Sequence, residues 1–222
     1  MRMLNFAKRN FKELIRDPLS LAFEIFLPIF LLVIFQQFNI PGDSYKIENF
    51  TPGIVVFGFS FITMFTATLV SKDRSSSLLT RLGASPMKSK DYILGYTLAL
   101  LPIILIQDIL FFTVAFMLGL SFSINIIFVI FVSLIVSILF ISLGILIGSL
   151  VSEKGTGGIG SVFAVVCEIL PFEGCLNIIK GIMNNNLSVI SIQNIIVFSM
   201  YLIGVLIVSI IVFKKKMFSD NK

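Results

Sequence analysis

Histidine and tryptophan are absent from this sequence, cysteine occurs twice, and charged side chains make up only 13% of its 222 residues. Lack of histidine removes the commonest general base and the commonest metal ligand. No Ser-His-Asp set, HExxH or paired-cysteine metal motif can be assembled. Neither GxxxxGKS nor GxxxxGKT is present, so the chain itself is expected neither to hydrolyse ATP nor to hold a metal. Internal repeats, low-complexity linkers and soluble domain boundaries are also missing, which points to one domain over residues 1–222. Cys167 and Cys175 do not form a CxxC pair. Facing an oxidising exterior they could close a short disulfide loop; two free thiols in apolar surroundings are the favoured reading.

What fills the chain instead is apolar: 57% of the residues are hydrophobic. A soluble domain of this size carries about a quarter charged residues. A larger core does not explain the deficit, because several apolar runs reach or approach the ~20 residues that cross a bilayer. The expected fold class is all-α, a polytopic membrane protein with candidate spans at 19–38, 54–70, 92–120, 124–151, 157–170 and 195–213. Fifteen of the seventeen Lys and Arg residues fall before the first span, between the second and third, between the fourth and fifth, and after the sixth. The alternate segments hold only Lys46 and Lys180. Basic residues collect on the cytoplasmic side, so both termini and the 71–91 loop are expected in the cytoplasm. Both ends on one side require an even number of crossings, which keeps the short 157–170 segment as a span. The net charge of +5 then reflects orientation in a membrane, not a nucleic-acid partner.

The first seventeen residues do not read as a cleaved signal, since no small-residue cleavage site follows an apolar run. Leu4, Ala7, Phe11 and Leu14/Ile15 recur at helical spacing, with Lys8, Arg9, Lys12, Glu13 and Arg16 on the other face. This predicts a basic amphipathic helix in the headgroup plane, in preference to a merely charged, frayed end. Asp17-Pro18 should break that helix and start the next, Asp17 as N-cap and Pro18 in the first turn.

The 71–91 loop has helical punctuation of its own. Leu78, Leu79 and Leu82 share one stripe of a short helix expected to start near Asp73, and Gly83 follows where a left-handed cap would sit. Ser85-Pro86 reads as an N-cap and first-turn proline that restart a helix into the third span. Three leucines on a cytoplasmic helix need a covering surface. The bilayer interface and the chain's own helices are one option; a groove in a partner protein is the sharper one.

Taken in order, "RDPLSL" (16–21), a span with an internal proline, "KDRSSSLLTRLGASPMKSKDYILGY" (72–96) and "LGILIGSLVSEK" (143–154) resemble the membrane subunit of ABC-2 type bacterial exporters. "LLTRLGASPM" carries the most specific part of the likeness, which extends over nearly the whole chain. The resemblance implies a coupling helix at about 73–83 seated in an ABC ATPase subunit, with Asp73, Arg74, Leu78, Leu79, Arg81, Leu82, Gly83 and Pro86 as its residues. It also implies a working assembly of two permeases, alike or different, and two ATPases, with ATP and magnesium bound by the ATPases, in a bacterial plasma membrane. One departure concerns the fifth span, where about fourteen residues give roughly 21 Å of helix against a ~30 Å core: either the family's outer re-entrant hairpin has been lost, or the segment spans by bringing in polar ends and thinning the bilayer.

Within the spans, Asp108 could bind a cationic substrate or hold an outer gate; the favoured reading places it at the outer headgroups or beside Lys180. Glu24, about 9 Å into the first span, is expected to pair with Lys72 or Arg74 near the inner surface. Gln36, Gln37, Gln107 and Asn125 fit a polar path and interhelical hydrogen bonds equally well. Ser133, Ser137, Gly144 and Gly148 form a narrow stripe, read first as packing within the subunit and second as a permease–permease contact. Pro28 and Pro102 should kink their spans. Asn49-Phe50-Thr51 and Asn186-Leu187-Ser188 match glycosylation sequons only weakly.

The function these residues and the resemblance point to is the permease subunit of an ATP-driven exporter of a small amphipathic drug, antibiotic or peptide. Sodium or a lipid-linked saccharide is the alternative cargo. The shortened fifth span keeps a non-transporting immunity or regulatory membrane subunit open as a rival.

Overall fold

The computed structural model describes residues 2–38, 40–76, 87–150, 172–185 and 191–219. Every regular element among them is helical: α1 (Arg2–Ile15), α2 (Pro18–Gln37), a 3-10 turn (Asp43–Tyr45), α3 (Ile47–Ser75), α4 (Ser89–Met117), α5 (Asn125–Leu150), α6 (Phe172–Met183) and α7 (Ile192–Ser219). Four helices, α3, α4, α5 and α7, are long and apolar enough to cross a membrane, and α2 has a shorter apolar stretch, Leu21–Gln37. The chain is a multi-pass membrane protein. At 1.5 Å per residue the 29-residue α3 and α4 are each about 43 Å long, well beyond a ~30 Å hydrocarbon core.

Helix α5 is the central post, packing against α3, α4, α6 and α7. Its closest neighbour is α3, because Gly144 and Gly148 leave a furrow where α3 enters. A Cβ on Gly144 would lie 2.5 Å from Thr66 Cβ and 2.6 Å from the Thr63 carbonyl; one on Gly148 would lie 2.5 Å from the Ala67 carbonyl. Hydroxyls fasten the same contacts across helices: Thr63 Oγ1 donates to the Phe140 carbonyl at 3.0 Å, and Ser209 Oγ of α7 to the Ser142 carbonyl at 2.8 Å. In a bilayer such close approach and interhelical bonding replace the hydrophobic drive that packs soluble helices.

Two turns show how the sequence ends and starts its helices. Helix α4 stops in a Schellman turn: Gly119 has φ +103°, Leu120 N–H donates to the Ala115 carbonyl at 3.0 Å and Gly119 N–H to the Phe116 carbonyl at 3.1 Å. Helix α2 starts at Pro18, with the Asp17 carbonyl accepting Leu21 N–H at 3.2 Å. The restart expected at Ser85-Pro86 lies outside the described residues. Met87 and Lys88 are not helical, and α4 begins at Ser89. The reason is local: the Asp91 carboxylate accepts Lys88 N–H at 2.9 Å, which makes Lys88 the capped position.

The helix expected to start near Asp73 is corrected, since α3 continues unbroken to Ser75 and Asp73 and Arg74 occupy its last turn. Nothing between Leu69 and Ser75 breaks a helix, and the two charges find partners within the bundle. The 157–170 span and Cys167, and with it any pairing to the buried Cys175, lie outside the described residues.

Candidate functional site

One end of the bundle gathers α1, the last turns of α3, α5 and α7, and the first turns of α4. It carries most of the described Lys and Arg residues and is called the basic end. Helix α1 docks there through Phe6, Ala7, Asn10 and Leu14. Phe6 sits edge-on between Tyr92 and Tyr96, with ring centroids 5.3 and 5.1 Å away. Gly95 makes the notch, because a Cβ there would lie 2.5 Å from the Phe6 ring. Phe213 of α7 closes the far side of both tyrosines, at 5.8 and 6.5 Å. The docked face is thus rotated from the expected stripe: Leu4 and Ile15 are 58% and 53% exposed, because Tyr92, Gly95 and Tyr96 select an aromatic knob over a leucine.

This docking brings Arg9 onto Asp73. Arg9 Nη1 and Nη2 donate to Asp73 Oδ2 and Oδ1 at 3.0 and 2.9 Å, a bidentate pair, and Tyr96 Oη donates to Oδ2 at 2.7 Å. Nη1 also donates to Asn10 Oδ1 at 2.8 Å, and Nη2 contacts Glu13 one turn along α1. Burial works against the Arg9 charge, but hydrogen bonding and attraction to Asp73, helped by Glu13, outweigh it and raise its pKa above the ordinary value. Asp73, 1% exposed, therefore ties α3 to α1 and α4 at once.

Its neighbour turns the other way. Arg74 Nη1 donates to the Ser149 carbonyl at 2.5 Å and lies 3.4 Å from the Gly148 carbonyl. A cation there satisfies the open carbonyls at the C-terminus of α5 and opposes the negative end of its dipole. The last turn of α3 is thus clamped to three other helices just before residue 77. Leu78, Leu79, Arg81, Leu82, Gly83 and Pro86 lie in 77–86, outside the described residues.

A second cluster occupies the middle of the bundle. Gln107 and Asp108 of α4 are buried, as are Glu24 of α2 and Ser133 of α5. Asp108 accepts a very short hydrogen bond from Ser133 Oγ. It reaches neither the outer headgroups nor, among the described residues, Lys180, because the first turns of α4 are taken up under α1 and its later turns bring Asp108 against α5.

Glu24 is 2% exposed and, among the described residues, neither of its carboxyl oxygens has a hydrogen-bond partner. The expected ion pair with Lys72 or Arg74 is not formed, since Arg74 is engaged on α5. Depth explains it. Helix α1 angles into the bundle, so that Arg9 meets Asp73 while Asp17 already lines a groove with Phe65, Thr68 and Leu69. Helix α2 therefore starts part-way up α3, and Glu24 ends beside Gln107, whose Nε2 lies 3.4 Å from the Glu24 carbonyl.

Of the other polar residues singled out, Gln36 Nε2 donates to the Tyr45 carbonyl at 3.0 Å, Gln37 is exposed, and Asn125 lines a polar cavity of about 360 Å³ at the opposite end with Glu48, Ser121 and Asn184. Ser133, Ser137, Gly144 and Gly148 are all buried within the chain; Ser137 Oγ bonds the Leu134 carbonyl of its own helix at 2.8 Å. Among the described residues no cluster of three or more metal-ligating side chains occurs. Arg9 and Tyr96 had no assigned role from sequence. A usable signal was the Tyr92–Gly95–Tyr96 spacing, which builds a socket for an aromatic residue on one helix face.

A family model described as ABC-2 type transporter matches residues 3–172, from the start of α1 to the start of α6. A search of curated proteins finds no match.

Proposed function

Because the chain belongs to the ABC-2 type transporter family, we propose that it is the permease subunit of an ATP-driven exporter, a single membrane domain over residues 1–222. In this reading the chain crosses a bacterial plasma membrane six times with both termini in the cytoplasm, so that the basic end faces the cytoplasm. A separate ABC ATPase, carrying ATP and magnesium, docks on the 77–86 segment, and two permeases and two ATPases make the working unit. The cargo is an amphipathic drug, antibiotic or peptide.

The observation that carries this reading is the double clamp on the last turn of α3. A push on the segment that follows residue 76 would act on a helix end fixed to α1 and α4 through Asp73 and to α5 through Arg74. Motion applied there would move four packed helices together instead of fraying one, which is what a lever needs.

The test is co-purification with an ABC ATPase co-expressed with this chain. Leu78→Asp with Leu82→Asp should abolish the association while membrane insertion stays normal. Undiminished co-purification of the double variant would overturn the docking site.

A further inference from the structure

We propose that the Glu24 carboxyl group and the Gln107 side-chain oxygen form an acceptor-rich site within the spanning bundle, and that it binds the protonated amine of an amphipathic ligand. The ligand's passage rests on the permease reading above; its binding does not.

The site begins with a proline. Pro28 stands four residues after Glu24 and has no N–H, so the Glu24 carbonyl loses its partner within the helix. Gln107 Nε2 of α4 turns to that carbonyl, at 3.4 Å. One of the two amide hydrogens is thereby used, and Gln107 Oε1 is left without a donor among the described residues. Both carboxylate oxygens of Glu24 are in the same condition. Three acceptor atoms on adjacent residues thus have no hydrogen to accept.

Among the described residues few other donors lie near. Gly58 of α3 faces the pair with no side chain, and a Cβ there would lie 3.0 Å from Gln107 Nε2 and 3.6 Å from Pro28 Cγ. Ser133 is spent on Asp108. An isolated carboxylate taken out of water costs several kcal/mol, and inside a membrane such groups pair or serve a ligand. An ammonium matches what is missing: it offers a positive charge and three N–H donors and accepts nothing. A carboxylate, phosphate or carbonyl ligand would add acceptors where none can be satisfied. Asp108, one residue away, already has its hydroxyl donor and is not needed.

The experiment uses the full chain in lipid nanodiscs and two fluorescent probes, dansylcadaverine and its N-acetyl derivative, which share the apolar body and differ in the ammonium. Wild type should bind the amine roughly ten- to a hundredfold more tightly, as a charge-assisted hydrogen bond implies. Glu24→Gln should erase the preference and Gln107→Leu should reduce it severalfold, whereas Asp108→Asn should keep it. Equal binding of the two probes by wild type overturns the site and needs no variant. So does loss of the preference in Asp108→Asn instead of Glu24→Gln, or a Glu24-dependent stabilisation by sodium without amine preference. A clear amine preference with no ATP-driven amine transport by the ATPase pair would leave the site standing and remove the permease reading.

Discussion

At the basic end Asp73 is buried and accepts three hydrogen bonds; in the middle of the bundle Glu24 is equally buried and its carboxyl group accepts none from the described residues. The two carboxylates differ in what their helices bring to them. Asp73 lies where α1 delivers a guanidinium and α4 a phenol, and Arg74 beside it takes the carbonyl end of α5. Glu24 lies where a proline, a glycine and a partly engaged glutamine meet. A carboxylate with a full set of donors fixes the helices that supply them. One without a partner holds nothing together and is free to meet what the chain does not contain. The basic end is thus built as a joint; the central cluster is not.

The comparison can be broken by removing charge at each place. Asp73→Ala strands the Arg9 fork and the Tyr96 hydroxyl and should lower stability by about 2–3 kcal/mol, less than for a fully enclosed pair because Arg9 keeps some access to water. Thermal unfolding in detergent would show it. Gly148→Val drives side-chain carbons into α3 and should cost about 1–3 kcal/mol in the same assay, with α3–α5 cross-linking disturbed. Arg74→Met leaves the Ser149 carbonyl open and should cost about 1 kcal/mol, read as faster hydrogen exchange at the last turn of α5. Glu24→Gln should leave the melting temperature unchanged or slightly raised, because it removes a charge that nothing compensates. A drop as large as that for Asp73→Ala would mean that Glu24 is a structural tie.

Much of the bundle was legible from apolar runs alone, since a stretch of ~20 apolar residues has few alternatives to a spanning helix. The ends of the helices were less so. Hydropathy stops α3 at Val70, but the helix runs on to Ser75, with the Asp73 and Arg74 charges used in tertiary contacts that no local pattern encodes. The docked face of α1 was misread for a similar reason. A helix with apolar residues on more than one side is oriented by its socket, and that socket lies some ninety residues on at Tyr92, Gly95 and Tyr96. Glu24 was first matched to the nearest bases along the membrane, which assumed that α2 starts at the surface; the angle of α1 moves it deeper. One signal was present in sequence: the Glu24-xxx-Pro28 spacing frees a backbone acceptor whatever the tertiary fold.

In the permease reading proposed above, the clamped end of α3 passes the partner's work into the bundle. The direct measurement is substrate moved per ATP hydrolysed by the reconstituted permease–ATPase pair carrying Asp73→Asn. The account predicts that the ATPase still binds and turns over while transport per ATP falls about tenfold, within the range of coupling energies between linked sites. An unchanged ratio, with the charged fork to Arg9 reduced to one neutral acceptor, would contradict it.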